Sequence, residues 1–389
     1  MAERRPIWPL VVLGAALTIG LLARLSTIED VFALTTPHAF SEDDHYHLRR
    51  IVFGLRNPEM LAFDRFMSFP HGAYSWFTDG FDRLLMAVVR LSAGADATMP
   101  EAVAAASLTV PLLSILALPL VFWLGARLVS RAVGALAALL VAVLPAHAFA
   151  GLAGVVDHHC IETVLSLGPL LVLAFAIEQR TRARAAAAGA LAGTLAGATL
   201  YFWSGAPLLW VVGAAAAGLA TLGRARWRTV GPALVGYALA TLPVTAHAVW
   251  RSPLGEKGEY LTFIVSRFHV AFAAVLAAAL VVWVGTGVWA ARPRRHLAAF
   301  AGVTLGLSLP LAALLGARPR HLAELTAFVR SEGIVAWIDE TAPLWRSFPQ
   351  AFAHFSPLVI ALPPYAASVA WRAFCRRDEA PSAALLELA

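Results

Sequence analysis

About ten apolar stretches of roughly 20 residues recur along this 389-residue chain, each long enough to cross a hydrocarbon core of about 30 Å. Lipid offers no hydrogen-bond partner to a bare backbone, so chains of this pattern cross it as helices. The sequence therefore predicts an all-α polytopic membrane protein, 1–389 forming a single transmembrane domain. Its composition agrees, at 59% hydrophobic and 14% charged with a mean hydropathy of +0.71, where a soluble domain carries about a quarter charged residues. Apolar length and flanking charge place spans at 8–25, 103–125, 132–150, 161–177, 185–203, 206–222, 230–249, 268–290, 297–316 and 354–373. The opening MAERRPIWPLVVLGAALTIGLLARL reads as an uncleaved signal anchor, because no small-residue cleavage site follows its apolar run.

Sidedness follows from the arginines. FDRLLMAVVRL, Phe81 to Leu91, is apolar but carries Arg83 and Arg90 on one helical face, so it is expected to lie at the interface. With that choice the pairs Arg4/Arg5 and Arg127/Arg131, the triplets around Arg182, Arg226 and Arg294, and the final Arg372, Arg376 and Arg377 all fall on one side. By the positive-inside rule that side is the cytoplasm. The opposite, outer side then holds two long loops, 26–102 and 317–353, a short turn at 151–160, and most of the acids and histidines.

The net charge of +6 is explained by these topology signals and calls for no nucleic-acid partner. Cys160 and Cys375 form neither a CxxC pair nor a disulfide framework. Alanine-rich stretches such as ARAAAAGALAGTLAGATL, from Ala183, supply the small residues that let membrane helices approach closely.

Three polar knots project from the outer face: SEDDHYHLRR at Ser41 to Arg50, VVDHHCIET at Val155 to Thr163, and WIDETAPLW at Trp337 to Trp345. Any one of them alone reads as a solvated loop. Three on one face point to a site. Asp157 and His159, two apart in a turn, can aim a carboxylate oxygen and an imidazole nitrogen at one ion, and an aspartate of the first knot would add a second oxygen. Mixed O/N ligation suits Mg²⁺ or Mn²⁺ better than a closed structural zinc site, though ligand types leave zinc open. A transporter would carry its ionisable groups near mid-membrane, and these spans carry few.

The ordered motifs resemble the catalytic subunits of oligosaccharyltransferases, the AglB- and PglB-like group with the architecture of the C superfamily of glycosyltransferases. His47-Leu48-Arg49 sets a register that puts that family's catalytic aspartate on Asp43, with Asp44 as the near alternative. DRFMSFPHGAYSWFTDGFDRL, from Asp64, resembles a family stretch in which an acid, a Pro-x-Gly turn and an aromatic patch lead into an interfacial helix. Asp157 and His159 take the metal-ligand positions of a DxD-type motif, and Gly154 matches a glycine three residues earlier. Trp337-Ile338-Asp339-Glu340, with Pro343, is similar to the glutamate motif of the family's fifth outer loop.

The resemblance implies a metal-dependent transfer of a glycan from a polyprenyl-(pyro)phosphate donor to a protein acceptor, at the outer face of a prokaryotic plasma membrane. Asp43, Asp157 and His159 would hold Mn²⁺ or Mg²⁺, and Asp43 and Glu340 would orient the acceptor. Asp44, His47, Arg49, Tyr201, Trp203 and Arg251 are the candidate substrate contacts, while His158 and Glu162 are left as supporting residues. The sequence departs from the family at Ala150, where an arginine is usual, and at Trp337, where a hydroxyl residue is common. No soluble C-terminal domain is expected. Three alternatives stay open: a partial chain, a short homologue completed by another subunit, or an enzyme with a different acceptor. A monosaccharide transferase of the same superfamily and a non-catalytic subunit or transporter are the competing functions.

Overall fold

A computed structural model of the chain describes residues 6–289, apart from 35, 76, 222–226, 258–259 and 262–263, together with scattered positions between 298 and 310. The expected loop 317–353 with Glu340 and the span 354–373 lie outside the described residues, as does most of the span 297–316. The described residues form two compact units. The first comprises the chain up to Pro58 and Asp82–Leu167, and the second Glu59–Phe81 and Gly168 onward.

In the first unit α1 (Trp8–Arg24) leads into a one-turn helix α2 (Ile28–Val31) and then α3 (Glu42–Arg56). Asp44, His47, Leu48, Ile51 and Leu55 are the buried stripe of α3, a helical spacing that lays one face on the protein and leaves Asp43 and His45 exposed. The start of α3 is set by a capping box: Ser41 Oγ accepts from the Asp44 amide at 3.2 Å, and Asp44 Oδ2 accepts from the Ser41 amide at 2.7 Å.

Helix α4 (Gly80–Ala93) is the expected amphipathic segment. Asp82, Leu85 and Val89 are buried, while Arg83 and Arg90 are exposed. Helix α5 (Met99–Ile115) begins four residues before the expected span, because Thr98 and Glu101 form a second capping box. It runs with a single-residue break into α6 (Ala117–Leu128), giving a 30-residue apolar segment. The expected span 132–150 is interrupted: α7 (Arg131–Val143) ends before Pro145, which opens the short α8 (Pro145–Phe149). Proline has no amide to continue the helix, and it biases the residue before it away from helical geometry. Ala16, Leu118, Phe122, Ala135, Ala138 and Ala142 form this unit's apolar core, with small side chains at close helix contacts. Helix α9 (His159–Ile177) begins here and continues into the second unit.

The second unit contains a feature absent from an all-α expectation. Between Phe63 and Tyr74 the chain folds into a two-stranded antiparallel hairpin, β1 (Phe63–Asp64) and β2 (Ala73–Tyr74), with Phe63 opposite Tyr74. Strands of two residues show no periodicity in sequence, and only the Pro70-His71-Gly72 turn marks them. Then come α10 (Arg182–Ala198), α11 (Ala206–Thr221), α12 (Trp227–Arg251), the one-turn α13 (Pro253–Glu256) and α14 (Arg267–Trp289). Glycines bring α10 and α12 into backbone contact. A Cβ on Gly189 would lie 2.1 Å from the Ala233 carbonyl oxygen, and one on Gly193 2.1 Å from that of Tyr237. Thr241 Oγ1 bridges the same pair by donating to the Gly193 carbonyl at 3.2 Å.

Among the described residues, eight of the ten expected spans thus coincide with helices, and five helical segments are long and apolar enough to cross a membrane by length and composition. Leu10, Val11, Leu22, Trp123 and Leu208 remain exposed on their helices, as residues facing lipid would be.

Candidate metal and active site

The second polar knot sits where the first unit's elements converge. Its approach is fixed by α1. The Ala153 amide donates to the Arg24 carbonyl at 2.8 Å, and Thr27 Oγ1 donates to the Ala153 carbonyl at 2.7 Å. Gly154 then turns the chain at a φ of +92°, and a Cβ there would lie 2.5 Å from the ring of Phe40 and 2.7 Å from Val31. Glycine is required at this point on both counts. The turn delivers Asp157 and His158 just before α9, whose first turn carries His159, Cys160 and Glu162.

Underneath, the Arg24 guanidinium is fully buried. Its Nε donates to Ser114 Oγ of α5 at 2.9 Å, and Nη1 donates to the carbonyls of Gly20 at 2.8 Å and Ala142 at 3.1 Å. Its Nη2 meets His147 Nδ1 and donates to the His147 carbonyl at 3.3 Å. One cation thereby ties together α1, α5, α7 and α8 beneath the turn.

Four ionisable side chains meet at the turn itself. His158 Nδ1 is 2.5 Å from Asp157 Oδ1, and its Nε2 is 3.3 Å from Glu162 Oε1. His159 Nε2 is 3.6 Å from Asp157 Oδ2, with Nδ1 3.0 Å from Glu162 Oε1. The two imidazole rings lie 4.4 Å apart. From α3, His47 directs Nε2 towards Asp157 Oδ1 at 3.8 Å, while its Nδ1 bonds Asp82 Oδ1 of α4 at 2.6 Å. Arg50 Nη1 meets the other oxygen of Asp82 at 2.9 Å. His47, Arg50 and Asp82 are all at most 2% exposed.

The electrostatics follow from this geometry. Burial would raise the Asp157 carboxyl, but the His158 hydrogen bond and the fields of His158, His159 and His47 outweigh it and hold the group well below the usual carboxylate range. At His47 burial works against the charged form, and Asp82 and Asp157 more than offset it, so the imidazole is raised above its ordinary value.

Two groups have ligand atoms within 4.8 Å of one another among the described residues: His47, Asp157 and His158, and His158, His159 and Glu162. Asp157 and His159, expected to share one ion, fall in different groups. Asp43 is in neither; it is exposed on the first turn of α3. Asp44, its alternative, is committed to the cap of α3. Arg49 is half-buried, with its guanidinium carbon 5.2 Å from the centre of the Tyr46 ring. Tyr201, Trp203 and Arg251 belong to the second unit, where Tyr201 OH bonds His247 Nδ1 on α12, the helix that ends at Arg251. Glu340 lies outside the described residues.

Sequence reasoning left His158 and Glu162 outside the ligand set and did not consider Asp82 at all. Spacing shows that residues i, i+1 and i+4 can share one end of a helix. That Asp82 meets His47, 35 positions earlier, is a tertiary fact.

No protein-family model matches the sequence, and no curated protein is similar to it in sequence. Solved structures are similar in fold. The Archaeoglobus fulgidus oligosaccharyltransferase in its apo form superposes with a TM-score of 0.78 at 19% identity, covering 99% of this chain and 47% of that one. The archaeal oligosaccharyltransferase AglB from the same organism, in complex with an inhibitory peptide and a dolichol-phosphate, gives a TM-score of 0.79 at 20% identity, over 97% of this chain and 46% of that one. A complex of the A. fulgidus oligosaccharyltransferase with Zn and sulfate gives 0.70 at 19% identity, over 96% of this chain and 44% of that one. The chain thus spans about half the length of these proteins, and over that half it has the fold of an archaeal oligosaccharyltransferase.

Proposed function

We propose that this protein is a metal-dependent glycosyltransferase of the oligosaccharyltransferase kind, moving a glycan from a polyprenyl-(pyro)phosphate donor to a protein acceptor, with Asn-linked transfer as the reaction. The observation that carries the reading is the convergence of Asp157, His158, His159 and Glu162 with His47, on a fold shared with oligosaccharyltransferases. The neighbours' own complexes, one with a dolichol-phosphate and an inhibitory peptide, support a lipid-linked donor and a peptide acceptor. The resemblance of the polar knots supports a site on the outer face of a prokaryotic plasma membrane.

A divalent ion fits the donor set. In each of two groups that share His158, a carboxylate oxygen and imidazole nitrogens lie within 4.8 Å of one another, and Asp157 is held as the carboxylate that ligation requires. In this reading Asp157, His159 and Asp43 would hold the ion. The ion, Mn²⁺ or Mg²⁺, would supply Lewis-acid stabilisation of charge on the departing phosphate. The protein's own task is positioning. An amide nitrogen is a weak nucleophile, so Asp43 and Glu340 hydrogen-bond the acceptor and fix its approach to the anomeric carbon. Asp44, His47, Arg49, Tyr201, Trp203 and Arg251 are the candidate substrate contacts.

The test is transfer from a lipid-linked oligosaccharide to a sequon peptide by purified, folded protein with Mn²⁺. Asp157→Asn, Asp43→Asn and Glu340→Gln are each expected to lower turnover by at least about 10²-fold, the size of a lost positioning or charge-stabilising contact. Wild-type protein that shows no metal-stimulated transfer to any peptide or lipid acceptor overturns the reading.

A further inference from the structure

The buried trio on α3 and α4 goes beyond the ligands that sequence reasoning names. An ion pair between Arg50 and Asp82 would balance its own charge. His47 is a third, equally buried ionisable group placed on it, and burial of such groups without a partner is costly. Asp82 Oδ1, bonded to Nδ1 at 2.6 Å, fixes which ring nitrogen carries the proton and turns the other towards the turn. That other nitrogen, Nε2, lies 3.8 Å from Asp157 Oδ1. The separation is too long for a hydrogen bond. It matches two ligands of one ion: donors each about 2.1 Å from a shared metal sit roughly 3–4 Å apart. His159 Nε2 stands at a similar 3.6 Å from the other oxygen of Asp157.

We propose that His47 is a ligand of the divalent ion, presenting Nε2 beside Asp157, and that Asp82, backed by Arg50, is the positioning residue that sets its tautomer and ring orientation. A carboxylate behind a ligating imidazole orients the ring and raises its basicity. The arrangement gives α3 a second ligand of the metal centre beside Asp43. It links the centre to α4, whose Asp82 is 0% exposed and acts on the centre through His47. The inference rests on the metal-dependent reading above, and its test separates the two.

The experiment titrates Mn²⁺ into purified full-length protein and records pulsed EPR of the loaded sample, which counts directly bound imidazole nitrogens. Four proteins are compared: wild type, His47→Gln, Asp82→Asn and His45→Gln. His47→Gln leaves the Asp82–Arg50 pair intact, so it serves where Asp82→Asn fails to fold. It is expected to weaken Mn²⁺ binding at least tenfold and to remove one nitrogen coupling. Asp82→Asn is expected to weaken binding about 10–100-fold, the usual effect of losing such a supporting carboxylate. His45, exposed on the same helix, is the control and is expected to change neither readout. If wild type binds Mn²⁺ and His47→Gln keeps the same affinity and nitrogen count, the assignment of His47 falls while metal dependence stands. If wild type does not bind Mn²⁺, metal dependence itself falls.

Discussion

The amide of Ala153 donates a hydrogen bond to the carbonyl of Arg24 at 2.8 Å, so the last residue of the first helix holds the strand of chain that delivers Asp157 four positions later. The same residue's side chain ties α1 to α5, α7 and α8. Arg24 therefore supports the turn from beneath through both its backbone and its side chain.

Replacing it exposes that dependence. Arg24→Ala leaves Ser114, the His147 ring and the carbonyls of Gly20, Ala142 and His147 without this donor, and is expected to lower stability by about 2–4 kcal/mol, the range for breaking a buried hydrogen-bond network. Arg24→Lys keeps the charge without the planar fork and is expected to fall between the two. Unfolding in detergent with increasing SDS measures both. An Arg24→Ala protein as stable as wild type would show that the packed helices hold the turn unaided.

Gly154 is the second support. Gly154→Ala imposes a left-handed backbone on a residue with a side chain, costing about 1–2 kcal/mol, and drives a methyl into Phe40 and Val31. The turn is expected to shift and Mn²⁺ affinity to fall more than global stability does. Parallel metal titration and thermal unfolding read the two effects separately.

His47 gives a pH signature in metal-free protein. Its folded value is raised by Asp82 and Asp157 against burial and Arg50, so the folded state binds the proton more tightly than the unfolded chain. The resulting stabilisation is fully present below the unfolded value of about 6.5 and is lost as pH rises through the folded value. Thermal unfolding in chelator is expected to show the melting temperature falling as pH rises above about 6.5, with a shallower fall in His47→Gln. Equal slopes for the two proteins would refute the coupling.

In the second unit the contact of α10 with α12 depends on absent side chains. Gly193→Ala places a methyl 2.1 Å from the Tyr237 carbonyl oxygen, where only backbone movement relieves the clash. Overpacking of this kind is expected to cost about 1–3 kcal/mol. SDS-induced unfolding followed by tryptophan fluorescence checks it, and the first unit's Mn²⁺ affinity is expected to stay unchanged.

Much of this protein was legible in its residues because the governing physics is local. Apolar length marks a helix that lipid can accommodate, and eight expected spans coincide with helices. The Asp-His-His spacing put Asp157 and His159 side by side in one turn. The hairpin at 63–74 was not legible, since two-residue strands carry no period, and neither was the break before α8, where Pro145 sat inside an otherwise apolar run.

What only the tertiary structure decided is which distant groups share the turn's surroundings. Nothing in the spacing of residues 47, 50 and 82 joins them. Their meeting depends on how α3 and α4 pack, and packing depends on complementary surfaces rather than on any short motif. The same holds for Arg24, which in sequence is one more arginine at a helix end and in the fold is the buried cation under the site. Charges that end up in a low-dielectric interior must find partners, and those partners come from whichever elements the fold brings near.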